Sequence, residues 1–222
     1  MKLLLYGGTF DPPHNGHLNN LRAAAGRVRP DLVVVMPAGV PPHKAASATP
    51  AALRLEMCRC FYALEGTPGL PRLTVSDWEV CQAREGRRNY TVLTLEMLAA
   101  RCPGATLYLT VGSDMLESFR AWYRWQDILR LARLVVVSRE IGDDPALHRA
   151  ARALDPSGSR ILMAPARAVP MASSEIRRRL AAGEDCAAAL PLQVRQVISR
   201  EGLYQSFEPP APPRRCRHPG ES

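Results

Sequence analysis

The sequence contains no apolar run long enough to cross a membrane as a helix. Its apolar start, MKLLLY, ends at Gly7 and Gly8 and is also too short for a secretory signal peptide. No two cysteines show the C-x-x-C spacing, which predicts reduced thiols in a cytoplasmic protein and argues against a zinc site. The six cysteines are Cys58, Cys60, Cys81, Cys102, Cys186 and Cys216.

A dense basic stripe with interleaved aromatic residues, which is typical of nucleic-acid binders, is also lacking. The net charge is +8, but the arginines are spread over many segments, and residues 177–179 (RRR) form the densest run. This distribution predicts small anionic ligands rather than a nucleic acid or a membrane as the partner.

The composition that is present, with 46% hydrophobic and 23% charged residues in 222, is that of one globular core. Strand-like apolar runs alternate with helical segments, which predicts an α/β fold: a Rossmann-like, doubly wound parallel sheet with helices on both faces and a small C-terminal helical segment. The predicted strands cover residues 2–6, 32–36, 73–76, 106–111, 134–138 and 160–163. The predicted helices cover residues 15–28, 50–64, 92–101, 126–131, 145–154, 174–182 and 191–200.

Cap residues and composition set the limits of the predicted domain. Thr49 is the expected N-cap of the second helix, and Gly202 is the expected C-cap of the last one. From Gln205 the chain becomes rich in proline and poor in apolar residues. We therefore expect one domain over residues 1–204 and a disordered tail over residues 205–222.

The stretch KLLLYGGTFDPPHNGH, residues 2–17, joins a strand to a helix through a glycine pair. It matches neither G-x-x-x-x-G-K-[ST] nor G-x-G-x-x-G, the two common phosphate-binding patterns. Instead, His14 and His17 are three residues apart at the start of a predicted helix, where both can face one anionic ligand. A loop cap at His14, a core histidine at His17, or a metal site with Asp11 are the alternatives.

GGTFDPPHNGH resembles the first signature of the nucleotidylyltransferase superfamily, and MASSEIRRRL (residues 171–180) resembles its second signature. Further segments are similar to bacterial nicotinate-nucleotide adenylyltransferases, including PAGVPPHK, RNYTVLTL and VGSDMLESFRAWYRWQDI. Glu175 departs from the second signature, in which a threonine or alanine often follows the serines.

The resemblance implies adenylyl transfer from ATP to nicotinate mononucleotide, with Mg²⁺ accompanying ATP and deamido-NAD and pyrophosphate as products. It implies that His14, His17 and Arg177 are catalytic. The implied ATP-binding residues are Gly7, Gly8, Thr9, Phe10, His14, His17, Gly112, Asp114, Ser173, Ser174, Ile176 and Arg177. The implied acceptor-binding residues are Lys44, Thr91, Trp122, Tyr123 and Arg139.

Several of these residues also have a simpler interpretation. Ser173 and Arg177 could be a helix cap and a solvated arginine, Asp114 a helix cap, and Lys44 a surface lysine. Trp122 and Tyr123 could be core aromatics, which is the role that we expect for Trp125.

Other functions are compatible with the same sequence features. The acceptor could be nicotinamide mononucleotide or phosphopantetheine, or the chain could be a nucleotide sensor or RNA-binding protein that lacks catalysis. A cytidylyltransferase is disfavoured because its second signature usually reads R-T-x-G-I-S-T-T. The sequence gives no information on oligomeric state.

Overall fold

The computed structural model describes residues 1–40, 49–138, 145–166 and 171–205. Its centre is a six-stranded parallel sheet with the order β3-β2-β1-β4-β5-β6. The strands are β1 (Lys2–Gly8), β2 (Leu32–Pro37), β3 (Leu73–Val75), β4 (Thr106–Gly112), β5 (Ala132–Ser138) and β6 (Ile161–Pro165). This order is that of a doubly wound dinucleotide-binding sheet, so the predicted fold class is confirmed.

Nine α-helices occur in the described part of the chain: α1 (Asn15–Val28), α2 (Ala51–Cys58), α3 (Trp78–Arg84), α4 (Thr91–Arg101), α5 (Ser113–Leu116), α6 (Trp125–Leu131), α7 (Pro145–Leu154), α8 (Ser173–Ala181) and α9 (Leu192–Glu201). Short 3₁₀ helices cover Arg59–Leu64 and Phe119–Ala121. The described residues include no helix that is long and apolar enough to span a membrane.

Both faces of the sheet are buried, as the continuous apolar runs of its strands predict. Leu4 and Tyr6 of β1 point to a core formed with α1, α2, α8 and α9. Leu3 and Leu5 point to the opposite core, which is formed with α4, α6 and α7. Helices therefore cover both faces of the sheet at β1. The carboxyl ends of β1 and β4 line a pocket.

Most of the predicted strands and helices are present, but one predicted helix is divided and two helices were missed. The expected helix over 50–64 is α2 followed by a 3₁₀ segment, and α3 and α5 were not predicted. Both missed helices are short, and each has one buried residue, Val80 or Leu116. So few buried positions give no readable helical period.

Of the two expected caps, one is correct. Gly202 is the C-cap of α9 in the left-handed conformation, with φ of 60°. The prediction that Thr49 is the N-cap of α2 was wrong, because Pro50 occupies that position and no side chain caps the helix. The Thr49 hydroxyl instead donates to Asp11 Oδ1 at 2.6 Å.

The five described cysteines are free thiols, as expected. Cys216 lies outside the described residues, as does the predicted disordered tail from residue 206 onward.

Candidate active site

The loop after β1 begins at the point where the strand order reverses, between β1 and β4. Open parallel sheets bind ligands at this position, beyond the carboxyl ends of their strands. Gly8 is required there for packing, since a Cβ on Gly8 would lie 2.8 Å from the Phe10 ring. Phe10 itself has φ of 50° and is almost fully buried against Tyr6, Phe61 and His17.

His14 and His17 together form the N-terminal cap of α1. Nδ1 of His14 accepts a hydrogen bond from the Gly16 amide at 3.1 Å, and Nδ1 of His17 accepts one from the His14 amide at 3.2 Å. The two ring centroids are 3.9 Å apart. Because Nδ1 of each ring accepts an N–H, the neutral imidazoles carry their proton on Nε2. The cap and the ligand interpretations are therefore compatible.

The second signature is bonded directly to the first, although about 160 residues separate them. Ser173 Oγ donates to the Pro12 carbonyl at 2.9 Å, and Arg177 Nη1 donates to the Asp11 carbonyl at 2.6 Å. Ser173 is also the first residue of α8. The start of α8 and the start of α1 thus converge on one loop, where their first-turn amides can face the same anion.

Buried Arg54 holds the other side of this loop. It is 2% exposed, and its Nη1 donates to the carbonyls of Thr9 and Ala38 at 2.8 and 2.7 Å. Burial lowers the pKa of Arg54 below its usual value, with Asp11 opposing this effect. Arg54 therefore ties the ends of β1 and β2 together by backbone contacts.

A pocket of about 280 Å³ opens beside the glycine loop. It brings together predicted ATP-binding and acceptor-binding residues from β1, β4, α4 and the segment before α6: Gly7, Gly8, Thr9, Gly112, Thr91, Trp122 and Tyr123. Leu5, Ala38, Glu79, Asn89, Tyr90, Leu109, Thr110, Val111, Met115 and Ile128 complete the described lining. An apolar pocket with a few convergent polar groups is the usual form of a small-molecule site.

The aromatic residues at the pocket differ in their surroundings. Trp122 packs on Phe119 with ring centroids 5.1 Å apart and also lines the pocket. Tyr123 is 52% exposed and lies 4.6 Å from the Tyr90 ring. Trp125 packs on the core and does not line the pocket, as expected. Lys44 and Arg139, the other predicted acceptor residues, lie outside the described residues.

Two of the predicted ATP contacts, Ile176 and Phe10, are buried, whereas a third, Asp114, is exposed. Ile176 is fully buried and its amide donates to the Ala172 carbonyl, so its role in the structure is to pack α8. Phe10, at 1% exposure, presents almost no backbone to a ligand and acts as a core residue. Asp114 is exposed in the first turn of α5, and a Cβ on Gly112 would lie 2.5 Å from its Oδ1.

Three polar residues of the pocket lining were not predicted as site residues: Glu79 and Asn89 on its α3–α4 side, and Thr110 of β4. Glu79 Oε1 accepts from Thr94 Oγ1 at 2.6 Å, and burial raises the pKa of Glu79 to about 7. Asn89 joins two loops, because its Nδ2 donates to the Glu79 carbonyl and its Oδ1 accepts from the Val40 amide. Thr110 Oγ1 is the one buried side-chain oxygen or nitrogen of the described residues that has no hydrogen-bond partner.

The sequence carried a weak signal for one of the missed residues. Arg54 shares a helical face with Met57 and Cys58, which are both buried, so a cation interrupts an apolar stripe. Glu79 and Asn89 carried no comparable signal, because their contacts depend on how α3 and α4 pack.

The geometry agrees with what the comparisons with known proteins found. The cytidylyltransferase-like family model matches residues 5–179. Proteins named "Probable nicotinate-nucleotide adenylyltransferase" from Neisseria meningitidis and Laribacter hongkongensis are 37% and 39% identical to the chain. The matches cover 92% of this chain in both cases, and 98% and 95% of the relatives.

A solved structure gives independent support for the fold. It is the Plasmodium falciparum nicotinic acid mononucleotide adenylyltransferase complexed with NaAD, which has a TM-score of 0.69 at 16% identity. The alignment covers 91% of this chain and 97% of that one. Together with the family model and the curated relatives, these findings show that the chain belongs to the cytidylyltransferase-like family and, within it, to the nicotinate-nucleotide adenylyltransferases.

Proposed function

We propose that this protein transfers the adenylyl group of ATP to nicotinate mononucleotide, giving deamido-NAD and pyrophosphate in NAD biosynthesis. The observation that carries the proposal is the pocket at the β1–β4 switch point. It joins the glycine loop to Thr91, Trp122 and Tyr123, and the same loop continues to His14. A site for two nucleotides needs such adjacent subsites.

In the proposed reaction, a phosphate oxygen of the mononucleotide attacks the α-phosphorus of ATP. A new phosphorus–oxygen bond forms, the bond from the α-phosphorus to its bridging oxygen breaks, and pyrophosphate leaves with the electron pair. The protein's task is to position two anions and to stabilise the charge that builds up on the phosphoryl oxygens. No covalent enzyme intermediate is required.

Five side chains near the shared loop are suited to that task. His14 and His17 would donate from Nε2 to phosphate oxygens, since Nδ1 of each ring already accepts an amide N–H. Arg177 would offer a charged donor from α8, and Ser173 and Ser174 would offer the first-turn hydroxyls and amides of that helix.

Mg²⁺ is part of the proposal as a companion of ATP. No group of three or more His, Cys, Asp or Glu side chains in the described ranges is arranged to hold a metal ion. The donors around the loop are imidazoles, hydroxyls, amides and guanidinium groups, and Asp11 Oδ1 already accepts from Tyr204 and Thr49. These groups are suited to bind phosphate rather than a metal ion. The Mg²⁺ ion would therefore be held mainly by phosphate oxygens and water, and it would neutralise phosphate charge.

The pocket favours an acceptor with a flat ring and an acidic group. Trp122 offers a stacking surface, and the first turn of α4 begins at Thr91 beside it. Glu79 is the only Asp, Glu, Lys or Arg among the described lining residues, and its raised pKa reduces its negative charge near neutral pH. We also propose that the enzyme is cytoplasmic, since the five described cysteines are free thiols.

The test is the ratio of kcat/KM for nicotinate mononucleotide and nicotinamide mononucleotide at fixed ATP and Mg²⁺. We expect the nicotinate to be preferred roughly tenfold to a hundredfold, because charge-assisted hydrogen bonds are about twice as strong as neutral ones and unpaired amide donors are penalised. Equal or reversed preference would favour the nicotinamide alternative. Absence of pyrophosphate release with every acceptor, including phosphopantetheine, would favour the sensor alternative.

Trp122→Ala and Trp125→Ala make a matched pair for the acceptor subsite. Both tryptophans pack on the same core, but only Trp122 lines the pocket. We expect Trp122→Ala to lower kcat/KM for the mononucleotide at least about tenfold, and Trp125→Ala to change it much less. Equal effects of the two substitutions on kcat/KM would mean that Trp122 has a purely structural role.

A further inference from the structure

The chain returns to the candidate active site after its last helix. Gly202 ends α9 with φ of 60°, and Tyr204 two residues later has φ of 63°. The Tyr204 hydroxyl then donates to Asp11 Oδ1 at 2.6 Å, across 193 positions of sequence. A non-glycine residue with a positive φ is strained, and such strain often marks a functional contact.

Asp11 occupies the centre of this contact. Its Oδ1 also accepts from Thr49 Oγ1 at 2.6 Å, and the Thr49 and Tyr204 hydroxyl oxygens are 3.3 Å apart. Asp11 is 7% exposed, so its carboxylate depends on these donors for solvation. Short O–H···O contacts to a carboxylate are the strong, charge-assisted type.

The same residue also holds the proposed catalytic arginine. The Asp11 carbonyl accepts from Arg177 Nη1 at 2.6 Å, and Asp11 Oδ2 is 3.9 Å from that nitrogen. The next residue, Pro12, accepts from Ser173 Oγ. Asp11 therefore receives Tyr204 on one carboxylate oxygen and faces Arg177 with the other.

The helix that leads to Tyr204, α9, packs on the core and on α2. Val194, Val197 and Ile198 of α9 are buried in the core, and Arg200 makes a two-point ion pair with Glu56 of α2 at 2.8 and 3.0 Å. Burial, together with the neighbouring Asp11, raises the pKa of Tyr204 above its ordinary value. The hydroxyl thus remains a protonated donor over the working pH range.

We propose that Tyr204 is a positioning residue for adenylyl transfer: its hydroxyl fixes the Asp11 carboxylate and thereby the backbone to which Arg177 and Ser173 are bonded. This inference rests on the proposed function only for its kinetic consequence. The alternative is that the Tyr204 hydroxyl merely anchors the end of the domain.

Tyr204→Phe tests the proposal because it removes the hydroxyl and keeps the ring. Tyr62→Phe is the matched control, since the Tyr62 hydroxyl accepts from the Val75 amide at 3.2 Å and lies outside the site. We expect Tyr204→Phe to lower kcat roughly tenfold to a hundredfold with little change in KM. Small displacements of catalytic groups reduce the rate of the chemical step more than they weaken substrate binding. Tyr62→Phe should retain wild-type kcat, and Thr49→Val should lower kcat in the same way as Tyr204→Phe.

Amide hydrogen exchange of peptides covering residues 9–18 gives a readout that does not need turnover. We expect faster exchange there in Tyr204→Phe and not in Tyr62→Phe. Wild-type kcat together with unchanged exchange in Tyr204→Phe would overturn the inference, as would a kcat loss that Tyr62→Phe reproduces. A wild type that is inactive with all acceptors would contradict the proposed function, and the exchange comparison would still decide the positioning role.

Discussion

At the residue scale, His17 caps α1 in the structure, and the proposed function gives it a phosphate contact as well. Its Nδ1 completes the cap of α1, and its ring lies against Phe10 and His14. An alanine at position 17 would remove both the cap and the imidazole, so its effect on rate would be ambiguous. Glutamine separates them, because it accepts from the N-cap amide in the common capping box.

We therefore expect His17→Gln to keep the stability of the cap and to lose the proposed phosphate contact. Removing one transition-state donor should lower kcat roughly 10²–10³-fold. His17→Ala should show the same loss of rate and in addition a loss of about 0.5–2 kcal/mol in the free energy of unfolding. Turnover and thermal unfolding of the two variants check this, and a His17→Gln variant with wild-type kcat would leave His17 with the cap alone.

At the scale of elements, the contact between α3 and α4 shapes one side of the pocket. Glu79 in the first turn of α3 accepts from Thr94 of α4, which is fully buried. Periodicity predicted α4 within one residue of its observed start but gave no indication of α3. A seven-residue helix with one buried residue owes its existence to the neighbour on which it packs, which local sequence does not encode.

The buried Glu79 makes stability depend on pH in a direction opposite to that of a salt-bridged acid. Burial raises its pKa to about 7 in the folded protein, against about 4.3 in an unfolded chain. Between these values the folded state binds more protons, so its free energy of unfolding falls as pH rises through this window. The total contribution is at most about 4 kcal/mol, at 1.36 kcal/mol for each of the roughly 2.7 pKa units.

Glu79→Gln should remove this dependence, since a neutral amide can still accept from Thr94. We expect the variant to gain stability relative to wild type as pH increases from about 5 to about 8, measured by urea unfolding at each pH. Glu117→Gln, at an exposed position, is the control and should run parallel to wild type. A constant difference between Glu79→Gln and wild type across the range would contradict the raised pKa of Glu79.

At the scale of the whole molecule, the sequence predicted what local patterns encode. Alternating strands and helices predicted the doubly wound sheet, and the two signatures pointed to the loop after β1 and to the start of α8, which Ser173 and Arg177 join in the structure. What it could not give are the contacts that link distant segments through single polar atoms. Arg54 reaches the backbone at Thr9, and Tyr204 reaches Asp11, because α2 and α9 pack together on one face of the sheet.

The mispredicted role of Thr49 has the same origin. A threonine before a proline at a helix start is a good candidate cap, and local rules favour it. In the structure its hydroxyl bonds to the buried carboxylate of Asp11, whose position depends on the β1 loop. The buried Asp11 carboxylate needs a hydrogen-bond donor, and the Thr49 hydroxyl bonds to it instead of capping α2.

The proposed role of Tyr204 predicts that the functional domain extends to Tyr204. Deleting residues 206–222 keeps Tyr204 and removes a proline-rich segment whose sequence offers little apolar surface to bury. We expect this truncation to leave Tm and kcat close to wild type. Deleting residues 204–222 removes only two more residues, yet it takes the Tyr204 hydroxyl away from Asp11, and kcat should then fall about as far as in Tyr204→Phe.

The comparison requires thermal unfolding and pyrophosphate release for both truncations. A large drop in Tm on deletion of residues 206–222 would mean that the tail packs on the domain. Equal activity of the two truncations would mean that Tyr204 is not needed for catalysis.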